Sequence, residues 1–189
     1  MIALQVQDVK EFMSRLLIGT DFDAFWLCEA SVTTFVTYNI DGSLHKEFFD
    51  SEQAEMLTQT ERTFSAWKEI KPFCFSIMKG KHTPLHFKII FQLSRQNVEK
   101  LLVGSGLSWK PADVFGLYLN LQYDGSHVTC TTGTSLKTFT MDKSLDRVWD
   151  EMVTKFCRQQ PVSYTHLMQP SLASSPACIL PAVRDQTLG

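Results

Sequence analysis

Along the first 160 residues the apolar side chains keep two rhythms, a period of two for strands and of three to four for helices. IALQV (2–6) alternates. In DVKEFMSRLLIG (8–19), Val9, Phe12, Met13, Leu16 and Leu17 recur at helical spacing, with Asp8 placed as N-cap and Gly19 as C-cap. FWLCEASVTTFVTYNI (25–40) is β-branched and aromatic, which predicts two strands or one long bent one. The Asp-Gly pair of IDGS (40–43) predicts a hairpin turn, with LHKEFF returning as a strand. SEQAEMLTQTERTFSAW (51–67) predicts one amphipathic helix capped by Asp50, with Leu57, Thr60, Phe64 and Trp67 on one face. KPFCFSIMKG (71–80) alternates at Phe73, Phe75 and Ile77, yet Pro72 and Gly80 bracket a short helix, and the helix is favoured.

The second half echoes the first. TPLHFKIIFQLS (83–94) reads as a strand and RQNVEKLLVG (95–104) as a helix with Val98, Leu101 and Leu102 inward. SRLLIGT (14–20) matches EKLLVGS (99–105), and YNIDGS (38–43) matches LQYDGS (121–126), at nearly the same offset. Two landmarks in one order predict a duplicated strand–helix–strand–strand unit. SLDRVWDEMVTKFCRQQ (144–160) places Leu145, Val148, Trp149, Met152 and Phe156 on one helical face. The expected architecture is α+β: two βαββ(β) repeats in a largely antiparallel sheet, helices on one face, and an amphipathic C-terminal helix. Residues 1–160 then form a single domain: repeat one at about 1–50, a connecting helical basic segment at about 51–83, repeat two at about 84–141, and the terminal helix.

Residues 161–189 break the pattern with four prolines and no apolar period, so a disordered or non-native tail is expected. The string VSYTHL in it resembles a translated transposon-end adapter, which places the expected end of the native frame near Gln160.

Charge changes the picture more than composition does. Net charge is −2, yet residues 1–61 carry three Lys/Arg against eleven Asp/Glu, while residues 62–100 carry eight against two. The middle of the chain is therefore a candidate surface for an anion. No apolar run reaches the ~20 residues of a membrane span, and MIALQVQDVKEF lacks a basic leader and an apolar stretch, so no membrane partner is expected. Five cysteines (Cys28, Cys74, Cys130, Cys157, Cys178) without C-x-x-C spacing predict buried reduced thiols in a cytoplasmic protein.

Catalytic patterns are missing. The Gly-Thr-Ser cluster of GLYLNLQYDGSHVTCTTGTSLKTF (116–139) runs into residues 136–141, which alternate like another strand, so it is a strand–turn–strand corner rather than a phosphate loop opening a helix. His82 and His86 have a zinc-like spacing, but Pro84 between them opposes a helix. Asp21 and Asp23 read as an acidic exposed turn. No catalytic residue, metal ligand or cofactor is assigned. The basic stretch supplies Lys68, Lys71, Lys79, Lys81 and Lys88 with interleaved aromatics, the chemistry of phosphate neutralisation and base stacking.

KGKHTPLHFKIIFQL and YDGSHVTCTTGTSLKTFTMDKSL resemble an uncharacterised bacterial family known only as a domain of unknown function. More loosely, MIALQVQDVKEFMSRLL and GLYLNLQYDGSHVTCTTGTS are similar to the opening strand–helix and the hairpin of DNA sliding clamps, which implies a clamp-like fold and a DNA partner. The helices at 8–18 and 96–103 lack the basic excess that clamps turn towards DNA. The expectation is a non-enzymatic, clamp-like interaction protein contacting nucleic acid or a DNA-associated partner. The alternatives are an enzyme or small-ligand protein with a site between the repeats near Asp124, His127 or Ser135, and a homo-oligomeric scaffold.

Overall fold

The computed structural model describes residues 1–158. The terminal positions Gln159 and Gln160 and the tail at 161–189, with its expected disorder, lie outside the described residues. Seven strands and five α-helices follow in the order β1 (Ala3–Gln5), α1 (Val9–Leu17), β2 (Phe25–Thr33), β3 (Thr37–Asp41), α2 (Ser51–Gln59), β4 (Ser65–Ala66), α3 (Trp67–Met78), β5 (His86–Leu93), α4 (Arg95–Ser105), β6 (Val114–Tyr123), β7 (Val128–Leu136) and α5 (Ser144–Arg158). One antiparallel sheet runs β1-β7-β6-β5-β2-β3, with β4 paired to β2 beyond the end of β3. The fold is α+β, with helices covering one face.

Alternation decides which face is covered. Phe87, Ile89, Phe91 and Leu93 of β5 are buried, as are Leu117, Leu119 and Leu121 of β6 and Val128 and Cys130 of β7. The intervening Lys88, Gln92, Asn120 and Thr131 form part of the opposite, polar face. Against the apolar face, α5 sets Leu145, Trp149, Val153 and Phe156. The Trp149 indole donates to the Tyr118 carbonyl at 3.0 Å. Trp67, the first residue of α3, likewise donates to the Leu16 carbonyl at the end of α1, at 2.8 Å. Two buried indoles thus satisfy their only donors while closing the core.

The two N-caps follow the expected chemistry, whereas the C-cap of α1 is Ile18, one residue before the expected Gly19. Asp8 accepts from the Glu11 amide and Asp50 from the Gln53 amide, both at 2.8 Å. The helix favoured at 71–80 forms but starts earlier and ends sooner, as α3 from Trp67 to Met78 with Pro72 in its interior, and YDGS does turn between β6 and β7, with Gly125 at φ 98°.

Four local expectations are corrected. The β2–β3 hairpin turns at residues 34–36, not at IDGS. Gly42 instead runs on beside the bulge in β2: its amide donates to Cys28 and its carbonyl accepts from Ser65, joining β2 to β4. LHKEFF carries a single 3-10 turn, Lys46–Phe48, instead of a strand. The helix at 51–67 stops at Gln59, because the Thr60 hydroxyl bonds back to Met56 and Glu61 takes a left-handed φ of 50°. Beyond Leu136 no further strand forms through 141.

The two halves share an order of elements but not a pattern of pairing. Both Leu-Leu landmarks lie at helix C-termini, in α1 and α4. The Asp-Gly landmarks fall at different places, one after β3 and the other between β6 and β7. In the second half β5 pairs directly with β6, whereas β7, β6 and β5 lie between β1 and β2.

Candidate nucleic-acid interface

Residues 62–100 begin before β4 and end inside α4, and folding brings the two ends of this basic stretch together. Arg62, Lys68, Arg95 and Lys100 line one cleft of about 380 Å³, together with Trp26 of β2 and Met56 and Leu57 of α2. Each arginine is held in place. Arg62 donates to the Phe64 carbonyl at 3.1 Å and pairs with Glu69, whose carboxylate also accepts from the Ala66 amide ahead of α3. Arg95 donates to the Val114 carbonyl at 2.8 Å and lies 3.3 Å from Glu61. Lys68 is exposed and forms no ion pair among the described residues.

The first turn of α4 borders the same cleft through Ser94, Gln96 and Asn97. Ser94, its N-cap, makes no side-chain capping bond. An 11-residue helix adds a partial positive charge at this end, reinforcing the four cations. One carboxylate lines the cleft, Asp23, and Lys71 already neutralises it at 2.6 Å. Trp26 is half-buried, paired across the sheet with Gln92 and with Ala66 of β4, so that it sits where the three strands meet.

The five lysines named from sequence do not form one surface. Lys68 belongs to this cleft. Lys71 is committed internally, donating to the Gly19 carbonyl as well as to Asp23. Lys79 and Lys81 line a separate groove beside α1. Lys88 stands on the uncovered sheet face, 3.9 Å from Glu29. Arg62, Arg95, Lys100 and Trp26 were not singled out from the sequence. The arginines lie inside the basic stretch, but only the β4–α3 corner shows that its ends meet.

The three residues of the alternative reading are not brought together. Asp124 and His127 sit on the exposed β6–β7 turn, where Asp124 accepts from the Ser126 amide at 2.9 Å and the His127 amide at 2.7 Å. Ser135 lies at the far end of β7, opposite Gly116 and about 25 Å along the strand. Those two amides hold the Asp124 carboxyl below its ordinary range. A lowered carboxyl stabilises its turn above the unfolded value of about 4 and loses that contribution as pH falls through the folded value. With the slower intrinsic exchange in acid divided out, the protection of the Ser126 and His127 amides is therefore expected to fall selectively as pH drops, while that of buried strand amides such as Leu119 does not.

Among the described residues no three His, Cys, Asp or Glu side chains gather to hold a metal ion. Burial pushes the Cys28 thiol up to about 12 and Cys74 to about 11, so neither is a thiolate near neutral pH.

DUF5721, a family of unknown function, matches residues 15–165. The chain belongs to that family. The match takes in every side chain of the cleft and all strands except β1. No curated protein and no solved structure matches the chain. Among the described residues no helix is long and apolar enough to cross a membrane.

Proposed function

We propose that this protein is a non-enzymatic interaction protein that contacts nucleic acid through the cleft between β4, α3 and the first turn of α4. The observation that carries the reading is the convergence of Arg62, Lys68, Arg95 and Lys100 beside Trp26. Lysine and arginine neutralise phosphates, and a partly exposed indole offers a face on which an unpaired base stacks. A single strand suits the cleft better than a duplex, because stacking on Trp26 requires a base free of its partner. Contact through one cleft needs no closed ring, so the proposal keeps the nucleic-acid partner implied by the clamp resemblance without the encircling geometry.

The test is fluorescence anisotropy of a labelled single-stranded oligonucleotide with the full chain, across a salt series. The double variant Lys68→Glu/Lys100→Glu is expected to weaken binding about tenfold or more at low salt and to flatten the salt dependence by about one phosphate contact per lysine. Lys155→Glu, on the exposed side of α5, serves as the charge-matched control. Parent-like binding by the double variant, or an equal loss in the control, overturns the reading. So does a parent chain that does not bind at low salt.

A further inference from the structure

A second groove, of about 560 Å³, lies between α1 and the end of α3 and is lined by none of the cleft's side chains. Its walls are Met13 and Leu17 on one side and Phe75 and Met78 on the other. Its floor is the stacked pair Phe87 and Tyr123, ring centroids 5.3 Å apart. The Tyr123 hydroxyl donates to the Gly125 carbonyl at 2.8 Å, which satisfies the polar end of that ring. Val9, Met13 and Leu17 recur at every fourth residue, so the apolar wall extends for two turns of α1, about 12 Å.

The rim has the opposite character. Lys10, Lys79 and Lys81 stand around it, and no aspartate or glutamate lines the groove. None of the three lysines forms an ion pair among the described residues; Lys79 lies over the Phe75 ring, 5.9 Å from its centroid. An apolar trough with uncompensated cations at its mouth complements a molecule with an apolar body and an anionic end. Its volume falls within the ~300–1,000 Å³ of small-molecule sites. Two methionines in the walls let the lining adjust to a flexible chain.

We propose that this groove binds a single-chain anionic amphiphile, a medium-length acyl chain lying along α1 with its carboxylate or phosphate end against Lys79 and Lys81. Each further buried methylene is then worth about fourfold in affinity. The anionic head is favoured over a cationic one of equal chain length by about tenfold.

The experiment titrates decanoate, octanoate and decyltrimethylammonium, each below self-association, into the full chain carrying ¹³C-methyl methionine. Decanoate is expected to shift the Met13 and Met78 methyls saturably. Octanoate, two methylenes shorter, is expected to bind about fifteenfold more weakly, and the cationic amphiphile to bind less tightly than decanoate. Lys79→Glu/Lys81→Glu, at two exposed positions, is expected to reverse the head-group preference without disturbing the fold. Met13→Glu is expected to remove binding. Equal response to both head groups, no dependence on chain length, or shifts centred on the distant Met56 would overturn the proposal. Engagement only of anionic lipid vesicles, with no response to free decanoate, would overturn it as well, since a membrane surface would then be the partner.

Discussion

Replacing Gly42 by alanine is expected to cost about 3 kcal/mol or more, the upper end of overpacking effects. A Cβ there would stand 1.8 Å from the Leu27 carbonyl oxygen and 2.6 Å from its carbon. Both are backbone atoms of β2 and cannot rotate away. The cost falls on the junction where Gly42 joins β2 to β4, so the start of α3 and the basic cleft should loosen together with the sheet. Denaturant unfolding of Gly42→Ala beside two other glycine variants would check this. Gly125→Ala forces a side chain into φ 98° and is expected to cost about 1–2 kcal/mol. Gly80→Ala meets nothing nearer than 3.9 Å and should stay within about 0.5 kcal/mol of the parent. If Gly42→Ala matched Gly80→Ala, the close approach of β3's extension to β2 would be refuted.

Phe22→Ala is expected to lower stability by about 3–5 kcal/mol. The ring is fully buried between α1 and β2 and touches four others: Phe12, Phe25, Phe91 and Phe156, with centroids 4.9 to 6.1 Å away. Through them one loop residue holds α1, the sheet and α5 together. Its neighbours act differently. Asp21 pairs with Arg15 at 2.5 Å and Asp23 with Lys71 at 2.6 Å, each from a partly exposed position. Asp21→Asn or Asp23→Asn should therefore cost only about 0–1 kcal/mol, lost at high salt. Thermal unfolding of the three variants in low and high salt separates the apolar anchor from its flanking ion pairs. A Phe22→Ala effect as small as the aspartate effects would mean that the aromatic cluster does not bind α5 to the sheet.

GTDFDAF shows how a local reading errs. By sequence it is an acidic turn, because two aspartates flank Phe22 in a short stretch without periodicity. In the fold the aspartates meet cations from α1 and α3, and the phenylalanine between them points into the core. IDGS errs for a related reason. Asp-Gly is a strong hairpin signal, yet here glycine is needed because another strand passes too close for a side chain. Both depend on partners distant in the chain, which a window of ten residues does not contain.

The basic cleft divides in the same way. The positive excess between residues 62 and 100 is a property of composition and was legible at once. Which of its eight cations share a surface was not. Lys71 is drawn inward by Asp23, Lys88 is set on the open face by the alternation of β5, and Lys79 and Lys81 are carried to the groove beside α1. Arg62 and Arg95, more than thirty residues apart, become neighbours of Trp26 because β4 and β5 both pair with β2.

Periodicity and capping are short-range, so the sequence by itself determined the α+β class, the alternating cores of β5, β6 and β7, the apolar faces of α1, α4 and α5, and the Asp8 and Asp50 caps. The strand order β1-β7-β6-β5-β2-β3, the separation of β1 from its own half, and the convergence on Trp26 were decided only by the tertiary structure. Each depends on which strands share hydrogen bonds across long loops. Burial of apolar faces drives that choice, and it is settled only when all the elements pack together.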